Sequence, residues 1–132
     1  MKKIYVLIAV FALTIISCKA QIIAVEDYKD YNNDLEDGAY IKDINNVLGK
    51  FIGTWKGTYN SKNYEFRIIK ETISYLGIKE DALLMRYKII DSNGSAIENT
   101  LDLPNNDAYV MKNGYVAKSG SYVFSYIGRE VA

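Results

Sequence analysis

The sequence predicts an all-β domain, an antiparallel meander with one amphipathic helix in front of it. Three observations predict this. From Thr54 onward, apolar and polar residues alternate with the two-residue period of a strand. Short turn signals, among them Asn60-Ser61, Asn93-Gly94 and Pro104-Asn105, cut that pattern into segments of strand length. Ahead of them, Ile41, Ile44, Val47, Leu48 and Phe51 recur at three- and four-residue steps, as one face of a helix does. At 132 residues the chain has room for one domain.

The N-terminus reads as an export signal. Lys2 and Lys3 precede an uncharged apolar run, Ile4 to Ile16, of 13 residues. A bilayer span wants about 20, so a signal-peptide core fits better than a membrane helix. Ile15-Ile16-Ser17-Cys18 resembles the bacterial lipobox, in which the Cys becomes the new N-terminus and carries lipid. Cys18 is the only cysteine, so it has no disulfide partner within the chain. The competing expectation is ordinary cleavage after Ala20. Residues 1–17 are thus expected to be a lipoprotein-type signal, 18–38 a polar tether and 39–132 the helix and β domain. The implied location is the cell envelope, membrane-anchored through the N-terminal lipid, with a secreted or periplasmic protein as the alternative.

Formal net charge is zero; removing Lys2 and Lys3 leaves 14 basic residues against 16 acidic, or −2. Basic residues are scattered. Nucleic acid is therefore not an expected partner, because phosphate binding needs a basic surface. The segment from Glu26 to Asp37 is rich in carboxylates. Asp30, Asn32 and Asp34 have the spacing that opens an EF-hand loop, but Leu35 stands where the loop needs Gly and Ile41 where it needs Glu. A solvated tether is the reading, with no metal site.

The helix is expected to begin near Asp37 or Gly38 and to be capped at Gly49, with Gly53 a second break. In the first strand Trp55, Gly57 and Tyr59 share a face, and Asn60 to Asn63 turn. In the second, Tyr64, Phe66 and Ile68 share a face, after which the apolar phase passes to Ile69, Ile73 and Tyr75; the two phases predict a bulge at Ile68-Ile69. A turn over Leu76 to Asp81 leads to a strand with Leu83, Met85, Tyr87 and Ile89 on one face and Arg86 and Lys88 on the other. Asn93-Gly94 predicts a hairpin to a strand carrying Ile97, Leu101 and Leu103. A short strand follows at Tyr109 to Lys112, Asn113-Gly114 turns, and Tyr115 to Ile127 reads as one long strand. Six strands result. The last would leave an exposed edge near Tyr122, Phe124 and Tyr126, from which the expectation is either a truncated version of a longer protein or pairing with another chain.

A helix followed by Gly53-Thr54-Trp55 at the head of a meander resembles the opening of a lipocalin-type barrel. That resemblance implies a barrel, here incomplete, with Trp55 closing one end. Lipocalins also carry a later turn motif, of which Asn106-Asp107-Ala108-Tyr109 is a loose echo, and a late Arg whose role does not carry over to Arg129. The wider stretch from Tyr40 to Gly57, behind Ser17-Cys18-Lys19-Ala20-Gln21, resembles a family of short exported proteins of Bacteroidetes-type bacteria, a domain of unknown function. It implies export and a β fold, and no activity.

The chain has no His, which excludes Ser-His-Asp and Cys-His catalysis and His-based metal sites. No phosphate-binding Gly motif is present, and no cofactor is expected. Carboxylate pairs remain formally open, with Glu71 placed by phase beside Ile69 and Ile73 and expected at a rim. Tyr59, Tyr64, Tyr75, Tyr87 and Tyr115 fall on apolar faces and are the candidate lining of a ligand cavity, although strands are enriched in Tyr in any case. Three functions follow in order: a lipid-anchored binder of a small apolar ligand, a protein-interaction or inhibitor module acting through exposed loops, and last a carboxylate enzyme. The protein is not expected to be an enzyme.

Overall fold

The computed structural model describes residues 19–30 and 35–128. The expected signal segment, Cys18, Asn32 and Asp34 of the loop pattern, and Arg129 lie outside them. Among the described residues there are eight strands: β1 (Ile22–Ala24), β2 (Tyr40–Lys42), β3 (Gly53–Tyr59), β4 (Lys62–Tyr75), β5 (Ile78–Ile90), β6 (Ala96–Asn99), β7 (Lys112–Val116) and β8 (Tyr122–Ser125). The main sheet runs β1-β2-β5-β4-β3, with β6 also on β5; β7 and β8 form a separate hairpin. β1-β2 and β2-β5 are parallel and the remaining pairs antiparallel. The class is mostly β, as expected, but the sheet is open and no barrel closes.

β5 organises the sheet. Thirteen consecutive pairs join it to β4 without a register break. Its other edge is shared among several segments, because β2 and β6 are too short to cover it alone. Lys79 N donates to Ala39 O, Leu83 N to the Tyr122 hydroxyl, Met85 N to Met111 O, and Tyr87 N to the Thr100 hydroxyl. Each outward amide thus finds an acceptor from a different part of the chain, as buried backbone requires. Asp81 to Leu84 are buried on both faces.

The uninterrupted ladder places Tyr64, Phe66, Ile68, Lys70 and Thr72 on one face with Ile89, Tyr87, Met85, Leu83 and Asp81 opposite them. There is no bulge at Ile68-Ile69: Ile68 faces the core and is buried, and Ile69 points the other way and is exposed. The residues of the second apolar phase are mostly left in solvent: Ile69 and Tyr75 are exposed, and only Ile73 is half-buried, beside Tyr28, Leu35 and Ile41. The segment after β6 reaches that second face through polar contacts, with Arg86 Nε donating to Leu103 O and Asn105 Nδ2 to Glu71. On the first face the β7-β8 hairpin packs Tyr122 and Phe124 against Ile68 and Leu83 in the core cluster.

The expected helix is not formed. Ile41 lies in β2, and only Gly49–Phe51 makes a 3-10 turn. The carboxylate of Asp43 accepts the N–H groups of Val47 (2.7 Å) and Leu48 (3.3 Å), Asn46 has φ +52°, and Asp43 N donates to Asp81. Short polar side chains bond the backbone in a compact turn and outcompete a helix. Ile41 and Leu48 are still buried, whereas Ile44 is exposed. Gly49 is therefore no C-cap; Gly53, at φ +135°, does break the chain as expected.

Three turns also differ. Leu76-Gly77 suffices between β4 and β5, both residues having positive φ. Asn113-Gly114 lies inside β7 at a register shift instead of forming a turn. The expected long strand from Tyr115 to Ile127 is split by a turn in which Ala117 N donates to Ser121 O and Gly120 takes φ +83°. Ile22–Ala24, in the expected tether, is a strand paired with β2.

Candidate functional site

β3 is the end strand of the sheet, and all seven of its residues are exposed. It forms with β4 a hairpin closed by Asn60-Ser61, both with positive φ (50° and 62°), the two-residue turn that matches strand twist. Register sets Trp55 across from Phe66, Gly57 across from Tyr64 and Tyr59 across from Lys62. Gly57 carries no side chain, and a Cβ built there would meet nothing within 4 Å. The result is an open aromatic depression over Gly57, about 410 Å³, lined by Thr58, Tyr59, Tyr64 and Phe66. The Tyr64 and Phe66 rings stack at 6.1 Å and 14°. Trp55 stands at its side, 51% exposed, held by its Nε1 donating to Phe51 O at 2.9 Å. Tyr59 is 75% exposed.

The other face of the same strands is polar. Lys56 opposes Glu65, and Glu65 opposes Lys88. These residues, with Thr58, Asn63 and Ile90, line a groove of about 400 Å³. Arg67 Nε lies 2.8 Å from Glu65 Oε1. That pairing, then the charges of Lys56 and Lys88, hold the partly buried Glu65 carboxyl below its ordinary value. Among the described residues neither lysine has a carboxylate at ion-pair distance.

The five candidate tyrosines do not line one cavity. Tyr59 and Tyr64 meet at the aromatic depression. Tyr75 is at the opposite end of the β4-β5 hairpin, beside a smaller cavity of about 140 Å³ that also holds Glu80. Burial, then the neighbouring Asp81, raises the Glu80 carboxyl. Tyr115 is in β7 with the Lys29 ammonium 3.7 Å from its ring centre. Tyr87 is a core residue, 1% exposed, with Tyr126 packed on it at 6.0 Å. Its hydroxyl and Glu98 Oε1 are both buried without a well-formed hydrogen bond. Burial first, and then Glu98 and Tyr126, push the Tyr87 phenol well above its ordinary value. Trp55 closes no barrel end, since the sheet does not close. Glu71 has no barrel rim to occupy; it lies within β4 across from Ala82 and takes a hydrogen bond from Asn105.

The family model for a family of unknown function (DUF6705) matches residues 1–127. The chain belongs to this family. No curated protein and no solved structure matches it. Membership of DUF6705 attaches no activity to the aromatic face. Among the described residues of this family member, no group of three or more acidic, His or Cys side chains is placed to hold a metal.

One polar centre escaped the sequence reading. Asp81 Oδ1 accepts the hydroxyls of Tyr40 and Thr72, each at 2.8 Å, and Oδ2 accepts Asp43 N at 2.9 Å. Burial pushes its carboxyl up, but these three donations and the charge of Lys70 outweigh burial and hold it below the usual carboxylate range. The signal available was its phase, which puts a carboxylate in line with Leu83, Met85 and Tyr87.

Proposed function

We propose that this protein is an envelope lipoprotein whose β domain binds another protein through the open aromatic face of β3 and β4. The observation that carries the reading is Trp55 and Tyr59, both more than half exposed, flanking the space left by Gly57. Large aromatic side chains are costly to leave in water and are the commonest anchors of protein interfaces. The sheet offers no enclosed container around this face, so an apolar small ligand would stay largely in water, which weakens it as the occupant. Anchoring rests on the lipobox-like Ile15-Ile16-Ser17-Cys18. A lipidated Cys18 would keep the domain at a membrane while the face remains free.

Two measurements test this. Cys18→Ser is expected to move the protein from the membrane to the soluble fraction; a variant that stays bound like the wild type ends the lipid reading. A photo-crosslinking residue at position 59, in cells that make the protein, is expected to give one discrete protein adduct. The adduct should disappear with Trp55→Ala and be absent when the crosslinker stands at Ser119 instead. No adduct at position 59, or equal adducts at both, overturns the interaction reading.

A further inference from the structure

β3 presents an unpaired backbone edge as well as an aromatic face. In a two-residue hairpin the flanking pair, here Tyr59 and Lys62, exchanges hydrogen bonds, and the pattern then alternates along the ladder. Gly53, Trp55, Gly57 and Tyr59 therefore turn their peptide groups toward β4. Thr54, Lys56 and Thr58 turn theirs outward, where among the described residues no strand follows. Natural edge strands are commonly blunted by Pro, by a bulge or by a covering segment. β3 has no Pro, keeps one register from end to end and is exposed throughout.

We propose, building on the interaction reading above, that this edge accepts an extended segment of the partner protein in which apolar and acidic residues alternate. A strand added beside Thr54, Lys56 and Thr58 projects successive side chains to opposite faces of the sheet. One set meets Trp55, Tyr59 and the depression over Gly57. The other set falls beside Lys56, on the face where Lys88 also stands and where Arg67 already holds the single local carboxylate, Glu65. Apolar residues suit the first face, and carboxylates suit the second. A second copy of this chain is the poorer occupant. Antiparallel pairing of β3 with itself brings the two Lys56 ammoniums onto one face, opposite or diagonal to each other, and like charges so placed are destabilising.

The experiment titrates the full chain, in detergent micelles, with labelled peptides of about nine residues. One alternates valine with glutamate and the other valine with lysine. The glutamate peptide is expected to bind about tenfold more tightly and to slow amide exchange at Thr54, Lys56 and Thr58. Lys56→Glu, at an exposed position of the strand, should reverse the preference. Thr58→Pro removes an outward N–H, keeps the backbone bonds to β4 at the loss of the Thr58 hydroxyl bond to Asn63, and should abolish binding of both peptides. Thr58→Val, which loses only that hydroxyl bond, should still bind. Equal affinity for the two peptides, or binding of neither, overturns the proposal. So does binding of the glutamate peptide that leaves those three amides unprotected. Slowed exchange at these amides that depends on protein concentration alone assigns the edge to a second copy and also overturns it. If the position-59 adduct persists while the peptides fail, strand addition alone is wrong; if the adduct is absent, the interaction reading falls as well.

Discussion

At the scale of single residues, Asp81 holds together three segments far apart in sequence. It joins Tyr40 at the end of β2, the Asp43 turn and Thr72 of β4. The residue is nearly buried and its three donors, Tyr40, Thr72 and Asp43 N, all favour the charged form, so removing the carboxylate strands three donors. Asp81→Ala is expected to cost about 2 to 4 kcal/mol, and Asp81→Asn, which keeps part of the network, about half as much. Because the folded-state carboxyl is held below its unfolded value, its stabilisation is present above the unfolded value. It is lost as pH falls through the depressed folded value. Urea unfolding of the wild type should thus lose this contribution progressively below about pH 4. Glu80, raised by burial, works in the opposite direction, so the informative quantity is the difference from Asp81→Asn. A wild-type and mutant pair whose midpoints fall in parallel between pH 5 and about pH 2 would refute the assignment.

At the scale of elements, two glycines on exposed-looking sequence have opposite roles. A Cβ on Gly114 would lie 2.2 Å from Val123 O and 2.4 Å from the Tyr122 ring, so the β7-β8 pair approaches too closely for any side chain. Gly114→Ala is expected to cost about 2 kcal/mol or more by forcing the hairpin apart. Gly57→Ala meets only open space and should leave stability within about 1 kcal/mol of wild type. Thermal or urea midpoints decide both, and equal midpoints for the two variants would contradict the close approach. The hairpin turns themselves were partly legible. Asn60-Ser61 and Asn93-Gly94 turn where the sequence says they should. Asn113-Gly114 carries the same chemistry but is absorbed into a strand, because its αL residue (φ +57°) serves a register shift as readily as a turn. Ser119-Gly120 also turns the chain, although the apolar alternation on either side of it reads as one continuous strand.

At the scale of the molecule, burial is graded along one sheet. β5 is covered on both faces at Asp81 to Leu84, and β3 on neither. Native-state hydrogen exchange should accordingly be slowest at the β5 amides of Leu83, Met85 and Tyr87. It should be fast at Thr54, Lys56 and Thr58, whose N–H groups point outward. Similar protection on β3 and β5 would mean that the edge is covered in solution.

Local sequence is enough for the β class, the faces of β3 and β5 and most turns that use a positive-φ residue. These depend on neighbours within a few positions, and a two-residue period is hard to disguise. It also determined the absence of His chemistry. Tertiary structure decided the rest. Whether Ile41 to Phe51 became a helix depended on Asp81, about forty residues away, taking the Asp43 amide. The apolar shift along β4 marked no bulge, because the ladder to β5 keeps one register and leaves Ile69 and Tyr75 exposed on the second face. Trp55 became a half-exposed side chain at an open edge instead of a barrel plug, because closure depends on which strands pair, and local alternation carries no record of that.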